Sequence, residues 1–185
     1  MIQIQTPLTL DVIHSLHAGD HVLLSGTIYT ARDAAHLRMM ECIQRGTELP
    51  IPLKGQIIYY AGPTPTRPGQ IVGSIGPTTS VRMDNATPAL LERGLSGMIG
   101  KGSRGENVKQ AMQRYPSVYF AAIGGAAALM ARCVTSLEVI AWDDLGPESI
   151  KKLVVQELPL IVAVDSEGND AFQIGQSKYL ETLMV

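Results

Sequence analysis

The stretch Gly76-Pro77-Thr78-Thr79-Ser80-Val81-Arg82-Met83-Asp84 brings several hydroxyl groups, an arginine and a Gly-Pro turn together within nine residues. Thr78 and Arg82 are four positions apart, so a chain that becomes helical after Pro77 would present the hydroxyl and the guanidinium on one face. A turn followed by a capped helix explains the same residues without any ligand. By itself, the stretch leaves both interpretations open.

A second candidate site lies where a predicted strand, residues 21–26, gives way to a predicted helix, residues 31–44. Helix N-termini attract anions because their first N–H groups are unpaired, and a guanidinium there adds a bidentate grip on a carboxylate. Arg32 is therefore a candidate anion ligand, although pairing with Asp33 or another acid explains it equally well. His36 lies one helical turn later and either supports this site or makes a structural hydrogen bond.

The third candidate segment, Gly100-Lys101-Gly102, places an ammonium between two glycines. A phosphate-binding P-loop would need glycine at position 95 and Ser or Thr at 102, but Leu95 and Gly102 stand there, so the spacing excludes a nucleotide loop. The glycines still let the backbone approach a ligand closely. Together the three segments supply two guanidiniums, one ammonium and several hydroxyls, a set suited to gripping a small dicarboxylate.

Composition narrows the function classes. With 45% hydrophobic and 17% charged residues, the 185-residue chain is expected to form one domain, residues 1–185, with a sizeable core. A net charge of -2 with scattered basic residues argues against a nucleic-acid or membrane-surface partner. We expect no signal peptide, and no segment approaches the roughly 20 apolar residues of a transmembrane helix, so the cytoplasm is the predicted compartment.

The sequence contains no plausible metal-binding set. Cys42 and Cys133 are its only cysteines, and both fall in apolar segments, as small core residues do. A [4Fe–4S] cluster needs three or four thiolates, so this chain cannot hold one by itself. His17 and His21 are one helical turn apart, but a histidine pair without a third ligand is a weak metal site.

Strand-like and helix-like segments alternate along the chain, which predicts an α/β domain. Some neighbouring strands have no helix between them, so we expect a mixed sheet or two sheets. Residues 70–75 are predicted as a short strand, residues 106–114 as a helix, and residues 148–153 as a brief helix. The glycines at residues 124–125 mark either close packing, which is favoured, or a second anion-binding helix start.

Taken together, these segments resemble the iron–sulfur-dependent hydro-lyases of the class I fumarase and L-tartrate dehydratase family. The resemblance is to their β region, which is a separate subunit in two-component members. The matching segments follow the family order over nearly the whole chain: residues 25–36, 64–69, 76–84, 97–102 and 122–126. The resemblance implies a swivelling three-layer β/β/α domain and an α subunit that carries a [4Fe–4S] cluster on three cysteines. The active site would lie between the subunits of an αβ hetero-oligomer.

The resemblance also assigns roles to individual residues. The family's substrate-binding cations and its proposed threonine base correspond to Arg32, Arg82, Lys101 and Thr78. Thr78 and Lys101 would be catalytic, with His36 and Thr79 in support, and Thr79 remains an alternative base. A threonine hydroxyl is a weak base at neutral pH, so a neighbouring group such as Arg82 or Lys101 would have to lower its pKa.

The sequence therefore predicts the β subunit of a hydro-lyase that interconverts malate and fumarate and needs its α partner for activity. Fixed cations stabilise the second negative charge that builds on a carboxylate when the adjacent proton is removed. The open iron of the partner's cluster would act as a Lewis acid and help the hydroxyl leave. Two alternatives stay open: the β subunit of L-tartrate dehydratase, which forms oxaloacetate, and a non-catalytic dicarboxylate-binding module.

Overall fold

The computed structural model of the chain describes residues 1–122 and 127–183, the last three by their backbone alone. The strands are β1 (Ile2–Gln5), β2 (His21–Thr30), β3 (Ile57–Tyr59), β4 (Gly97–Gly100), β5 (Val118–Ala121), β6 (Val134–Ala141) and β7 (Ile150–Val164). The helices are α1 (Leu10–Ser15), α2 (Asp33–Arg45), α3 (Thr87–Leu91), α4 (Glu106–Arg114), α5 (Ala127–Arg132) and α6 (Ala171–Leu183). Two 3₁₀ segments lie at Ser80–Met83 and Asp143–Glu148. Within this described part, no helix is both long enough and apolar enough to cross a membrane.

A mixed sheet organises these elements. Strands β2, β3, β4 and β5 are parallel neighbours in that order, and β1 is a further parallel partner of β2. Strand β7 runs antiparallel to both β2 and β5, which closes five strands into a barrel-like ring. Strand β6 pairs with β7 outside this ring. The predicted α/β fold with a mixed sheet is confirmed.

Strand β7 closes the ring because different parts of it serve different partners. Its residues 151–161 pair with β2, and its last residues, 161–164, pair with β5. The brief helix predicted at residues 148–153 is wrong, because most of these residues belong to β7. Burial alternates there as a strand requires: Leu153 is fully buried, whereas Val154 is exposed.

The strand predicted at residues 70–75 is also wrong, since the chain is irregular there. Its backbone bonds the preceding loop instead of a strand ladder: the N–H of Thr64 donates to the carbonyl of Ser74 at 3.0 Å. Gly73 lies so close to Thr64 that a Cβ would overlap its backbone. Residues 70–75 therefore pack against the loop that follows β3.

Two apolar clusters cover opposite faces of the sheet. Ile57 and Tyr59 belong to one cluster and Ile58 to the other, because successive side chains of a strand point to opposite faces. The first cluster also contains residues of α1 and α5, and the second contains residues of α2, α3 and α4. Helix α2, predicted over residues 31–44, ends at Arg45, and Gly46 closes it with a φ of 67°.

The carboxyl ends of the parallel strands meet at one edge of the sheet. Strands β2, β3 and β4 end at Thr30, Tyr59 and Gly100. Arg32 lies two residues after the end of β2, and Lys101 directly follows the end of β4. Ligands of parallel sheets bind at this edge, so the topology already separates the candidate site from the rest of the surface.

Truncation of β7 should show how much the closing strand contributes to stability. We expect Leu153→Ala to lower the free energy of unfolding by about 2–5 kcal/mol, because it leaves a cavity between packed strands. The matched variant Val154→Ala, one residue along, should cost less than about 1 kcal/mol because its side chain is exposed. Urea unfolding followed by circular dichroism measures both, and equal losses would contradict the assigned register of β7.

Candidate functional site

Arg32 is the N-cap residue of α2 and has an extended conformation. The hydroxyl of Thr30, the last residue of β2, accepts the backbone N–H of Lys151 at 3.3 Å. The Arg32 side chain is 24% exposed, and a Cβ on Gly62 would come within 3.2 Å of its Cδ and Nη1 atoms. The loop after β3 therefore packs directly on this guanidinium.

Two carboxylates of the chain itself lie at the start of α2. The Nη2 atom of Arg32 is 3.5 Å from Glu148 Oε1 and 3.8 Å from Asp33 Oδ2. The other oxygen of Glu148 accepts the backbone N–H of Ala34 at 2.8 Å. The pairing of Arg32 with neighbouring acids is thus confirmed, and this helix start holds an anion that the chain supplies.

A buried lysine orders the segment that carries Glu148. Lys151 Nζ donates to the carbonyl of Gly146 at 2.8 Å and to Ser149 Oγ at 2.6 Å. Burial lowers the pKa of Lys151, partly offset by Asp143. The turn between the 3₁₀ segment and β7 is therefore fixed against the sheet, and Glu148 is fixed with it.

Arg82 reaches the same helix start from the 3₁₀ segment Ser80–Met83. Its Nε atom donates to Asp33 Oδ1 at 2.8 Å, so Asp33 lies between the two guanidiniums. The Arg82 side chain is 48% exposed. The structure thus brings the two predicted arginines together through one shared carboxylate.

Main-chain bonds join the threonine segment to Lys101. The N–H of Lys101 donates to the carbonyl of Thr78 at 3.2 Å, and the N–H of Ser80 donates to the carbonyl of Lys101 at 2.9 Å. Thr79 has an extended conformation, and the helical turn begins only at Ser80. The single helix considered for Thr78 and Arg82 is therefore not formed, although the two residues belong to one short segment.

The threonine segment is also bonded to the end of β3. The N–H of Thr78 donates to the carbonyl of Tyr60 at 2.7 Å, and Pro77 pairs with Ala61 as an antiparallel bridge. Thr78 is partly buried, whereas Thr79 and Lys101 are exposed. Sequence-distant segments that carry the candidate residues thus lie side by side at the carboxyl edge of the sheet.

His36 makes the structural hydrogen bond considered above. Its Nδ1 atom lies 2.8 Å from the carbonyl of Arg32, which can only accept, so Nδ1 carries the proton. Its ring meets that of Tyr60 edge to face at 5.3 Å. Burial lowers the pKa of His36 to about 4, so the imidazole is neutral at pH 7. His36 therefore supports the residue that caps α2.

Sequence reasoning missed a buried arginine beside the site. The side chain of Arg104 is fully buried, and its Nε donates to Asp84 Oδ1 at 2.8 Å. It also bonds Thr87 Oγ1 at 2.8 Å and lies over the ring of Tyr60. Burial acts to lower the pKa of Arg104, but neighbouring Tyr60 and Asp84 raise it, so the guanidinium stays charged. No local pattern reveals this pair, because its members are 20 positions apart.

Buried hydroxyl groups connect the segment that carries Thr78 with the segment that carries Lys101. Ser80 Oγ and the hydroxyl of Tyr119 are 2.9 Å apart, and the Tyr119 hydroxyl donates to the carbonyl of Gly102 at 2.8 Å. A Cβ on Gly100 would overlap Ser80 Oγ, so a larger residue there would displace this hydroxyl from its position. The Tyr119 hydroxyl therefore holds the segment around Thr78 and the segment around Lys101 in a fixed relative position.

The described residues offer no metal site: among residues 1–122 and 127–183, no group of three or more His, Cys, Asp or Glu side chains could hold a metal ion. Cys42 and Cys133 are free and half-buried. Burial raises the pKa of the Cys133 thiol. These residues do not fit a [4Fe–4S] cluster. The glycines predicted to matter at residues 124–125 lie outside the described residues.

Comparison with known proteins connects this geometry to a family. A family model described as Fumarase C-terminus matches residues 1–175. The chain belongs to the fumarase C-terminus family. The resemblance inferred from the separate sequence motifs is thereby confirmed over nearly the whole chain.

Relatives of two lengths carry this domain. The chain is 43% identical over 152 residues to "Fumarate hydratase class I, anaerobic" of Escherichia coli, which covers 81% of the chain but only 28% of that protein. "Fumarate hydratase 2" of Leishmania major is 37% identical over 156 residues, covering 83% of the chain and 28% of that protein. "Putative L(+)-tartrate dehydratase subunit beta" of Methanocaldococcus jannaschii is 39% identical over 182 residues, or 95% and 93% of the two chains. The chain thus spans little more than a quarter of these fumarate hydratases and nearly all of the tartrate dehydratase subunit.

Removal of one charge from the buried pair should destabilise the fold. We expect Asp84→Asn to lower the free energy of unfolding by about 3–5 kcal/mol, because the buried Arg104 guanidinium loses its counterion. The matched variant Asp144→Asn breaks an exposed pair with Arg38 and should have a far smaller effect. Urea unfolding at pH 7 compares them, and similar losses would show that Arg104 is not buried as described.

His36 should make stability depend on pH in a defined direction. Because its folded pKa is about 4 and its ordinary value is 6.5, the unfolded chain binds a proton in this range that the folded chain does not. We therefore expect stability to fall as pH decreases from 6.5 towards 4, with a contribution on the order of 3 kcal/mol. Unfolding free energies at pH 7 and 4.5 should differ less for His36→Gln than for the unmodified chain. Parallel pH profiles would contradict this assignment.

Proposed function

We propose that this chain is the β subunit of a hydro-lyase that catalyses the reversible hydration of fumarate to malate together with an α subunit. The observation that carries the proposal is the convergence of Arg32, Arg82 and Lys101 on one sheet edge in a member of the fumarase C-terminus family. Three cations from separate segments suit a ligand with two carboxylates.

The chemistry of this chain would be electrostatic. Removal of the proton next to a carboxylate adds negative charge to that carboxylate in the transition state. Arg32 and Arg82, already held in place, would stabilise that charge more strongly than they stabilise the ground state. Guanidiniums suit this role because they bind carboxylates through two parallel hydrogen bonds.

Thr78 and Lys101 are proposed as the catalytic residues of this subunit, with Thr79 and His36 in support. The main-chain bonds between the Thr78 and Lys101 segments support this assignment, because they keep a hydroxyl and an ammonium on neighbouring segments. Lys101 would favour the ionised form of a nearby acid by its charge. Thr78 is favoured over Thr79 by the family motif, through its four-residue offset from Arg82.

The remaining parts of the reaction belong, in this proposal, to an α subunit that carries the [4Fe–4S] cluster. The exposure of Arg82 and Lys101 supports an active site shared with a second subunit. Two cavities of about 590 and 610 Å³ lie elsewhere and are not lined by Arg32, Arg82 or Lys101. We further propose a single swivelling three-layer β/β/α domain, residues 1–185, in a cytoplasmic αβ hetero-oligomer.

A second candidate is the β subunit of L-tartrate dehydratase, which would form oxaloacetate from tartrate. The relative from Methanocaldococcus jannaschii favours it, because the match covers 95% of this chain and 93% of that subunit. The three cations described here suit either malate or tartrate, since these two dicarboxylates differ by one hydroxyl. Substrate choice therefore has to be measured.

Reconstitution tests the proposal directly. The chain is co-expressed anaerobically with a partner that carries three cluster-binding cysteines, and the pair is assayed with fumarate, malate and tartrate. We expect Arg82→Ala to lower kcat/KM by about 100-fold or more, because one fixed cation at the developing charge is lost. The matched variant Arg45→Ala removes an exposed guanidinium at the far end of α2 and should leave the activity unchanged.

Two results would contradict the proposal. A cluster-bearing pair that converts none of the three dicarboxylates would leave a non-catalytic binding module as the better explanation. Loss of folding or of partner binding in Arg82→Ala would make Arg82 structural. Circular dichroism and co-purification with the partner provide these two controls.

A further inference from the structure

We propose that Tyr119 is a positioning residue that sets the spacing between Thr78 and Lys101. The inference rests on the proposed hydro-lyase function and adds a residue to that site. Tyr119 lies in β5 and is fully buried. Its hydroxyl contacts both the segment that carries Thr78 and the segment that carries Lys101. It acts through Ser80 and Gly102, which flank the residues proposed to meet the substrate.

The hydrogen bonds at the Tyr119 hydroxyl have one consistent direction. This hydroxyl has a single proton, and the carbonyl of Gly102, 2.8 Å away, can only accept it. Ser80, 2.9 Å from the same oxygen, must then donate its own proton to Tyr119. The chain Ser80 to Tyr119 to Gly102 is therefore fully satisfied and cannot reverse without losing a bond.

This chain of bonds fixes the relative position of two catalytic segments. Ser80 is two residues after Thr78, and Gly102 directly follows Lys101. The backbone of Ser80 is also bonded to Lys101, so each segment is held both by its main chain and through Tyr119. A shift of either segment along the other would break the hydroxyl bonds. Tyr119 therefore acts as a register pin, meaning a side chain that fixes the alignment of the two segments.

The surroundings leave Tyr119 little freedom to move. The guanidinium of Arg104 lies over its ring at 5.1 Å, and that guanidinium is bonded to Asp84. Burial raises the pKa of Tyr119 to about 12, so its hydroxyl keeps its proton and remains a donor at neutral pH. Glycine at position 100 provides the room in which Ser80 Oγ approaches it.

The conservative variant Tyr119→Phe tests this role because it removes the hydroxyl and keeps the ring. In the reconstituted pair we expect kcat to fall at least 10-fold while KM changes less than threefold, because misplacement of catalytic groups affects the transition state more than ground-state binding. Amide hydrogen exchange at Ser80 and Lys101 should become faster. The control Tyr115→Phe also removes one hydroxyl bond, that to Glu92, and should change neither measurement.

A double-mutant cycle separates positioning from general destabilisation. If Ser80 and Tyr119 act as one unit, Ser80→Ala should reproduce the loss in kcat, and the double variant should be no worse than either single variant. Additive losses would overturn the proposal, as would a kcat for Tyr119→Phe within twofold of the unmodified pair.

Failure of the proposed function would look different. If the unmodified pair converts no dicarboxylate, the hydro-lyase assignment fails, and hydrogen exchange alone decides the role of Tyr119. Faster exchange at Ser80 and Lys101 in Tyr119→Phe, but not in Tyr115→Phe, would still support a register pin. Unchanged exchange would overturn it.

Discussion

Closure of the sheet by β7 is the constraint on which the other features depend. Without it, β2 and β5 would each present a row of unpaired backbone groups, which sheets must cover or pair. The closing bonds join distant parts of the chain: the N–H of Lys151 and the hydroxyl of Thr30 are 121 positions apart. Closure holds the parallel strands so that their carboxyl ends face one edge, and the candidate residues inherit their positions from it.

Buried polar groups then fix the loops at this edge. The ion pair of Arg104 with Asp84 and the hydroxyl chain through Tyr119 lie beneath the loops that carry Thr78 and Lys101. A buried ion pair contributes little net stability when compared with an apolar packing, but an arrangement that separates its partners leaves an uncompensated buried charge and is costly. The position of the Arg104–Asp84 pair beneath these loops is consistent with a role in fixing the positions of Thr78 and Lys101.

Sequence patterns predicted local elements well and long-range ones poorly. The helix at residues 106–114 and the stop at Gly46 follow from amphipathic spacing and glycine, which act within a few residues. The helix predicted at residues 148–153 overlaps the start of β7, because pairing with β2 and β6, and not the local sequence, decides the conformation there. Arg32 and Arg82 could be proposed as neighbours from motifs, whereas Arg104 depends on contacts that only the folded chain creates.

The acidic partners of the two arginines bear on selectivity. Asp33 and Glu148 already neutralise part of the positive charge, so in the proposed site a dicarboxylate would have to replace these ion pairs with its own. The net gain is a difference between two similar sets of contacts, and anions of poorer shape gain nothing. Arginines without carboxylate partners would bind phosphate and other small anions without selectivity. In the proposed site, the resident carboxylates would therefore favour an anion of matching shape over other anions, and they would ease release of the product by pairing again with the arginines.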